Sequence, residues 1–171
     1  MKHLIVGGVA GGATAAARIR RADEHAEIIM FEKGNDISYA NCGLPYYIGG
    51  VIDERDKLFL QTPQSFGQRF NVDVRVKSEV VAVNPERKEV TVRNHRNETY
   101  IESYDKLLLS PGASPFRPAL PGIDSEGIFT LRNVSDTDAM KKYGSTHQIG
   151  HAVVIGAGFI GLEMPENLHN L

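Results

Sequence analysis

The residues best suited to chemistry in this chain are a lone thiol and two glycine-rich turns. Cys42 stands in Ser38-Tyr39-Ala40-Asn41-Cys42-Gly43-Leu44-Pro45-Tyr46. The run Cys42 to Ile48 predicts a helix start, with Pro45 limiting how early it begins. A thiol at a helix N-terminus has its anion favoured by the dipole and by free amides. Asn41 and Ser38 could add hydrogen bonds. The alternative is a buried structural cysteine, a common fate for a lone Cys, although the polar neighbours argue against an apolar surround. As the single cysteine of the chain, Cys42 cannot form an internal disulfide. That usage fits a reducing, cytoplasmic compartment.

Gly156-Ala157-Gly158-Phe159-Ile160-Gly161 fits G-x-G-x-x-G directly after the apolar run Ala152 to Ile155. The first glycine permits a tight turn, the second lets amides approach a pyrophosphate, and the third lets helix and strand pack closely. The phosphates then sit on the positive end of the helix. The matching ribose-reading acid would fall at about position 181, so this site is expected to be cut short. Gly7-Gly8-Val9-Ala10-Gly11-Gly12 is less regular, because Val9 occupies the middle-glycine position. Against that, Glu32 lies 20 residues beyond Gly12, at the end of the next expected strand. An acid there can accept both ribose hydroxyls of an adenosine. Strand, glycine turn, helix, strand and acid together point to dinucleotide binding. A glycine turn alone would serve equally to pack a helix on a sheet. Two fingerprints imply two dinucleotides, most simply a flavin and a nicotinamide.

The elements that must position these residues follow from local pattern. His3 to Val6 and Glu27 to Phe31 read as buried strands flanking a helix over Ala13 to Arg21, a βαβ unit whose strands are parallel. Asn35 to Asn41 reads as loop. Thr62 is a candidate N-cap with Pro63 at the first helical position, leading a helix to about Phe70. Val72 to Val76 reads as a strand. Glu79 to Val83, Glu89 to Arg93 and Thr99 to Ser103, separated by Asn84-Pro85 and Asn94 to Asn97, predict an antiparallel meander. Lys106 to Leu109 is a short strand running into Ser110-Pro111-Gly112-Ala113-Ser114-Pro115. Pro118 to Gly122 reads as linker. Ser135 is expected to begin a helix to about Tyr143 with a Ser-x-x-Asp cap. Ala152 to Ile155 is expected to be a buried strand. In the helix that begins near Phe159, Pro165 removes the amide that would bond Gly161, at a cost of about 3 kcal/mol.

Composition narrows the classes. Apolar residues are 42% and charged residues 23% of 171, ordinary for a globular chain, which excludes a disordered tail, a collagen-like chain and a disulfide scaffold. A net charge of -2 offers no field for nucleic acid or anionic lipid. No apolar run reaches the roughly 18 residues of a membrane span. Met1 to Arg21 mimics a secretory signal, with Lys2, a short apolar stretch and Ala-x-Ala, but the glycine fingerprint explains the segment better. The six His have no Cys or His partner at ligand spacing, so no metal site is expected.

Taken together, these segments resemble the flavin-dependent pyridine nucleotide–disulfide oxidoreductases. The resemblance lies with the single-cysteine branch, which holds coenzyme A-disulfide reductases, NADH-dependent persulfide reductases, and NADH oxidases and peroxidases. It covers essentially the whole chain through Val6 to Arg21, Phe31-Glu32-Lys33, Ser38 to Tyr47, Ser103 to Pro115, Thr130 to Asn133 and Val153 to Leu168. The segments SYANCGLPYY and ESYDKLLLSPGASP are its most specific parts. The implied fold is α/β and Rossmann-like, an FAD/NAD(P)-binding parallel sheet plus an antiparallel β-meander. Residues 1–115 would be the first segment of an FAD domain, 116–150 a linker and the start of a second domain, and 151–171 a truncated NAD(P)-binding βα unit.

The resemblance implies that Cys42 is a redox-active nucleophile. It implies FAD held by Gly7, Gly8, Val9, Ala10, Gly11, Gly12, Glu32 and Lys33, with further contacts from Ser110, Pro111 and Gly112. Gly156, Gly158 and Gly161 would serve NADH or NADPH. Coenzyme A, as substrate or bound thiol, would meet Thr14, Arg18, Arg21, Ser38 and Asn41. The residues alone leave Arg18 and Arg21 open between a phosphate clamp and a solvated basic face. Phe70 stands where some relatives place a lysine. Ile37 and Tyr47 are not cysteines, so no internal dithiol forms, and the oxidised partner of Cys42 would be a small thiol or a sulfenic acid. The expected activity is that of an FAD-dependent NAD(P)H:CoA-disulfide or persulfide oxidoreductase, of which this is the N-terminal part. The alternatives are an NADH oxidase or peroxidase cycling a sulfenic acid, and an inactive nucleotide-binding fragment. The parent would be more than twice as long and a homodimer. The 171 residues alone are expected to be inactive, marginally stable and to expose apolar surface.

Overall fold

The computed structural model describes residues 1–169. In chain order the first elements are β1 (Lys2–Val6), α1 (Gly11–Ala22), β2 (Glu27–Phe31), α2 (Leu44–Ile48), α3 (Pro63–Phe70) and β3 (Asp73–Arg75). They are followed by β4 (Ser78–Asn84), β5 (Glu89–Asn94), β6 (Thr99–Ser103), β7 (Lys106–Leu109), α4 (Val134–Thr146) and α5 (Phe159–His169). The chain divides into two compact units, residues 1–39 with 59–112, and residues 40–58 with those from 113 onward.

The first unit is built on a parallel four-stranded sheet of order β3-β2-β1-β7. Its register sets the strand ends level: Val6 lies opposite Phe31 on one side and Leu109 on the other. Gly7, Glu32 and Ser110 therefore leave the sheet side by side at its carboxyl edge. That edge, where the chain departs to both sides of β1, is where open α/β sheets bind ligands. β2 reads EIIMF because both its faces are covered. Ile28 and Met30 pack with Ile5, Ala13, Ala16 and Phe66 on the helical side. Ile29 and Phe31 pack with Leu4, Val90 and Val92 against the meander. The meander β4-β5-β6 is antiparallel, as its spacing predicted, with a bulge between Val80 and Ala82.

A charge cluster ties the meander to the parallel sheet. Glu102 of β6 accepts from Lys2 Nζ at 2.5 Å and Arg75 Nη1 at 2.6 Å. Arg75 also pairs with Asp73 and lies over the Phe31 ring, 5.5 Å from its centroid. Burial pushes the Glu102 carboxyl up, but the hydrogen bonds from Lys2 and Arg75 outweigh it and hold the group below its ordinary value.

In the second unit α2 packs on α4 and α5. Asp138 takes a forked bond from Arg55, through Nε at 3.0 Å and Nη2 at 2.9 Å. Lys141 Nζ donates to the Tyr47 carbonyl at 2.9 Å and sits 4.5 Å from the Tyr47 ring centroid. Gly49 leaves room for the buried Asn167 of α5, whose Cβ would stand 2.7 Å from any Cβ added at Gly49.

Four expectations need correction. α1 begins at Gly11, not Ala13, because the glycine turn closes directly into the helix. α4 is capped by Asn133 rather than Ser135: the Asn133 side chain accepts from the Asp136 amide and the Asp136 side chain bonds back, a reciprocal capping box. Ala152 to Ile155 is not a strand, and Val153 and Ile155 are 86% and 94% exposed. A strand is defined by its ladder, and no described strand lies alongside this segment to supply one. The helix expected to start near Cys42 begins only at Leu44, after a 3-10 turn over Asn41–Gly43. α5 continues through Pro165 to His169, held by the buried side chains of Met164 and Asn167.

The charge cluster carries a pH signature. The folded pKa of Glu102 is depressed, so its contribution to stability is full above an unfolded value of about 4.3. It is lost as pH falls through the lower folded value. Glu102→Gln should cost about 1–2 kcal/mol at neutral pH, measured by chemical denaturation, and progressively less in acid. A cost that stays constant from pH 7 to strong acid would contradict the pairing.

Candidate functional site

The turn after β1 is shaped by contact between its own ends. Gly7 has φ +98°, and a Cβ on it would stand 2.1 Å from the Ser110 carbonyl oxygen. A Cβ on Gly12 would stand 1.7 Å from the Gly7 carbonyl oxygen. Only glycine fits either place. Ser110 is fixed there because its amide and hydroxyl both donate to the Val6 carbonyl, at 2.8 and 3.0 Å. Pro111 and Gly112 continue exposed from it, Gly112 at φ +72°.

Glu32 closes the turn from the other side. Its Oε2 accepts from the Gly8 amide at 2.8 Å and its Oε1 from the Gly34 amide at 2.8 Å. A carboxylate has about four lone-pair sites, so Glu32 keeps acceptor capacity for a ribose while it braces the loop. Gly8 is packed under Ile37, and its carbonyl accepts from the Ser38 amide at 3.0 Å. Ser38 itself sits at φ +48°, a left-handed conformation that few serines adopt. No side chain caps α1 at Ala10, and its first turn holds no acid. The first-turn amides, which have no partner within a helix, thus receive no side-chain cap from Ala10. Val9, in the middle-glycine position, is half-buried beside them. Glycine turn, uncapped helix and partly free carboxylate fit the adenosine and pyrophosphate of a dinucleotide. Lys33 stands exposed next to Glu32.

The second glycine turn repeats the first one's contact. Gly156 has φ +114°, and a Cβ on Gly161 would stand 2.1 Å from its carbonyl oxygen. Gly158 faces open space and α5 starts at Phe159. The local turn therefore forms without the strand that the sequence pattern placed before it.

Thr14, Arg18 and Arg21 are exposed along one face of α1. Arg21 Nε reaches the Ala17 carbonyl at 3.2 Å. The structural arginine of this helix is Arg20, which sequence reading passed over. Its guanidinium donates to the carbonyls of Phe70, Glu24, Ala26 and Asn71 at 2.6 to 2.8 Å, collecting the ends of α1 and α3. Three arginines within four positions, Arg18, Arg20 and Arg21, give no sign of which one folds inward.

Cys42 belongs to the second unit, with Asn41. It is exposed and lies within the 3-10 turn, where the Gly43 amide donates to Ala40 and the Leu44 amide to Asn41. The five residues of α2 provide less dipole than the full helix start expected from the sequence. A polar partner that sequence reading did not single out stands nearby: Arg132 Nη1 donates to Asn41 Oδ1 at 3.4 Å. An exposed thiol on a turn with polar neighbours is suited to attack small disulfides. Among the described residues no group of His, Cys, Asp and Glu could hold a metal ion. No helix among them is long and apolar enough to cross a membrane.

Residues 1–171 match the family described as pyridine nucleotide-disulphide oxidoreductase. The Coenzyme A disulfide reductase of Staphylococcus epidermidis is 49% identical over 170 residues, covering 99% of this chain and 38% of that protein. The chain thus spans well under half the length of the curated relatives it matches. The crystal structure of reduced Bacillus anthracis CoADR-RHD superposes with a TM-score of 0.96 at 58% identity, covering 99% of this chain and 31% of that one. A NAD-dependent persulfide reductase from A. fulgidus gives a TM-score of 0.92 at 36% identity, covering 99% and 32%.

Two substitutions test the loop. Gly12→Ala drives a methyl into the Gly7 carbonyl and should cost at least about 3 kcal/mol. Glu32→Gln turns an amide N–H2 toward one of two backbone donors and should cost about 1–3 kcal/mol. Urea midpoints measure both, and a change in either variant below about 0.5 kcal/mol, the range of an ordinary surface substitution, would contradict the geometry.

Proposed function

Because the chain belongs to the pyridine nucleotide-disulphide oxidoreductase family, we propose that it carries the FAD-binding loop and the attacking sulfur of an NAD(P)H-dependent reductase of small disulfides, with coenzyme A disulfide the substrate favoured. The observation that carries the reading is Cys42, a lone, exposed thiol on a polar turn, in a chain that also holds a dinucleotide-shaped glycine turn braced by Glu32. Gly7, Gly8, Val9, Ala10, Gly11, Gly12, Glu32, Lys33 and Ser110 through Gly112 would hold FAD. Gly156, Gly158 and Gly161 would serve the nicotinamide dinucleotide. When bound, FAD supplies the two-electron relay by which NADH or NADPH reduces sulfur.

The protein's own chemistry is thiol–disulfide exchange. The Cys42 thiolate attacks one sulfur of the disulfide. A bond forms between Cys42 and that sulfur, the substrate S–S bond breaks, and one thiolate leaves. Two electrons and a proton then return Cys42 to the thiolate and release the second half as a thiol. Over the cycle one disulfide, one reduced nicotinamide and one proton give two thiols and one oxidised nicotinamide. These 171 residues hold no second cysteine, so no other thiol among them displaces the substrate half, which stays on Cys42 until it is reduced. Exposed Thr14, Arg18 and Arg21 form a polar, basic row suited to the phosphates of coenzyme A, supported by the similarity to a coenzyme A disulfide reductase.

The test is NADH and NADPH oxidation by the full-length protein with coenzyme A disulfide, and with a persulfide in parallel. Cys42→Ser should lower kcat at least about a thousandfold while leaving bound flavin in place. Undiminished turnover by Cys42→Ser overturns the reading. Turnover on peroxide without any thiol dependence would replace it with peroxidase chemistry at a Cys42 sulfenic acid.

A further inference from the structure

We propose that Arg132 is a positioning residue that fixes the side chain of Asn41 as a hydrogen-bond donor toward the substrate; this rests on the reading of Asn41 and Cys42 as a disulfide-binding turn. The start of α4 is pinned by a single carboxylate. Asp136 Oδ2 accepts from the Arg132 amide at 2.7 Å and from the Asn133 amide at 3.0 Å, and Asn133 Oδ1 accepts the Asp136 amide at 2.9 Å. The Arg132 side chain therefore leaves a rigid base. Its Nε donates to the Ala113 carbonyl at 2.9 Å, which sets the plane of the guanidinium, and Nη1 donates to Asn41 Oδ1 at 3.4 Å.

The chemistry of the pair has only one sense. A guanidinium has five N–H donors and no acceptor. An amide side chain facing it must turn its oxygen inward, so the Asn41 N–H2 group is presented on the opposite branch. Asn41 is otherwise ambivalent, able to offer either end. The backbone of Asn41 is held as well, because its carbonyl accepts the Leu44 amide. With Arg132 in place, the residue next to Cys42 offers two donors and no acceptor to an incoming ligand. That selects a disulfide carrying acceptor oxygens near its sulfurs, such as the amide carbonyls of a pantetheine arm. It disfavours one that presents ammonium or amide N–H groups there.

The test is a double-substitution cycle in the flavin-loaded full-length protein, read as KM and kcat for coenzyme A disulfide. Asn41→Asp keeps the oxygen that faces Arg132 and replaces the outward donor by an acceptor. Arg132→Gln offers an acceptor of its own and frees the amide to turn. Each alone should raise KM about tenfold with kcat within about twofold, and the pair together should also raise it about tenfold. Arg132→Lys, which keeps a cationic donor, should stay within about threefold of the unaltered protein. A hundredfold rise in the double variant, an unaffected Asn41→Asp, or an Arg132→Lys no better than Arg132→Gln overturns the inference. Should Arg132→Gln fail to hold flavin, the KM of Arg132→Lys decides it: within threefold upholds, tenfold overturns. An unaltered protein without turnover on the disulfide refutes the underlying reading and this inference with it.

Discussion

The Glu32 carboxylate and the two amides it accepts are the constraint on which the site depends. One oxygen holds Gly8 and the other Gly34, at 2.8 Å each. The loop after β1 is thereby tied to the strand that follows it. In the proposed function the same acid would also meet the ribose of the dinucleotide, so one side chain would serve both bracing and recognition. Gly12 can approach the Gly7 carbonyl, and Gly7 the Ser110 carbonyl, only because neither glycine has a Cβ, and Ser110 closes the third side through the Val6 carbonyl. All three pieces arrive together because β1, β2 and β7 end in register. The loop's shape follows from sheet geometry rather than from loop sequence alone.

The cysteine turn obeys a different economy. It is short, and its order comes from side chains of a distant segment. Asp136 fixes the start of α4, Arg132 reaches Asn41 from there, and Arg55 and Lys141 tie the neighbouring elements to α4 and α2. In the function proposed for it, Cys42 would hold a substrate half in one place between attack and reduction, which calls for such support.

Much of this could be read from residue pattern. β7 and β6 were predicted to the residue, and the parallel βαβ unit and the meander follow from buried runs and turn residues. Cys42, Glu32 and the glycines announce themselves by type and spacing. Arg132 and Arg20 did not, because a surface-type residue reveals an inward role only when the fold brings carbonyls or an amide to it. The failure at Ala152 to Ile155 has a related cause. Its apolar character marks a strand that would be covered, yet a strand exists only with a neighbour, and Val153, Ile155 and Phe159 instead stand 86%, 94% and 87% exposed. The Asn133 cap was missed in favour of Ser135 because both Asn-x-x-Asp and Ser-x-x-Asp occur within three positions. The extended backbone at Asn133 and its reciprocal bonds with Asp136 separate them.

The most direct measurement is the visible absorption spectrum of the full-length protein after incubation with FAD and removal of the excess. Retained flavin near one per chain, with its band shifted from that of free FAD, is the predicted result. A colourless protein would contradict the assignment of the Gly7 to Gly12 loop and Glu32 to a flavin dinucleotide.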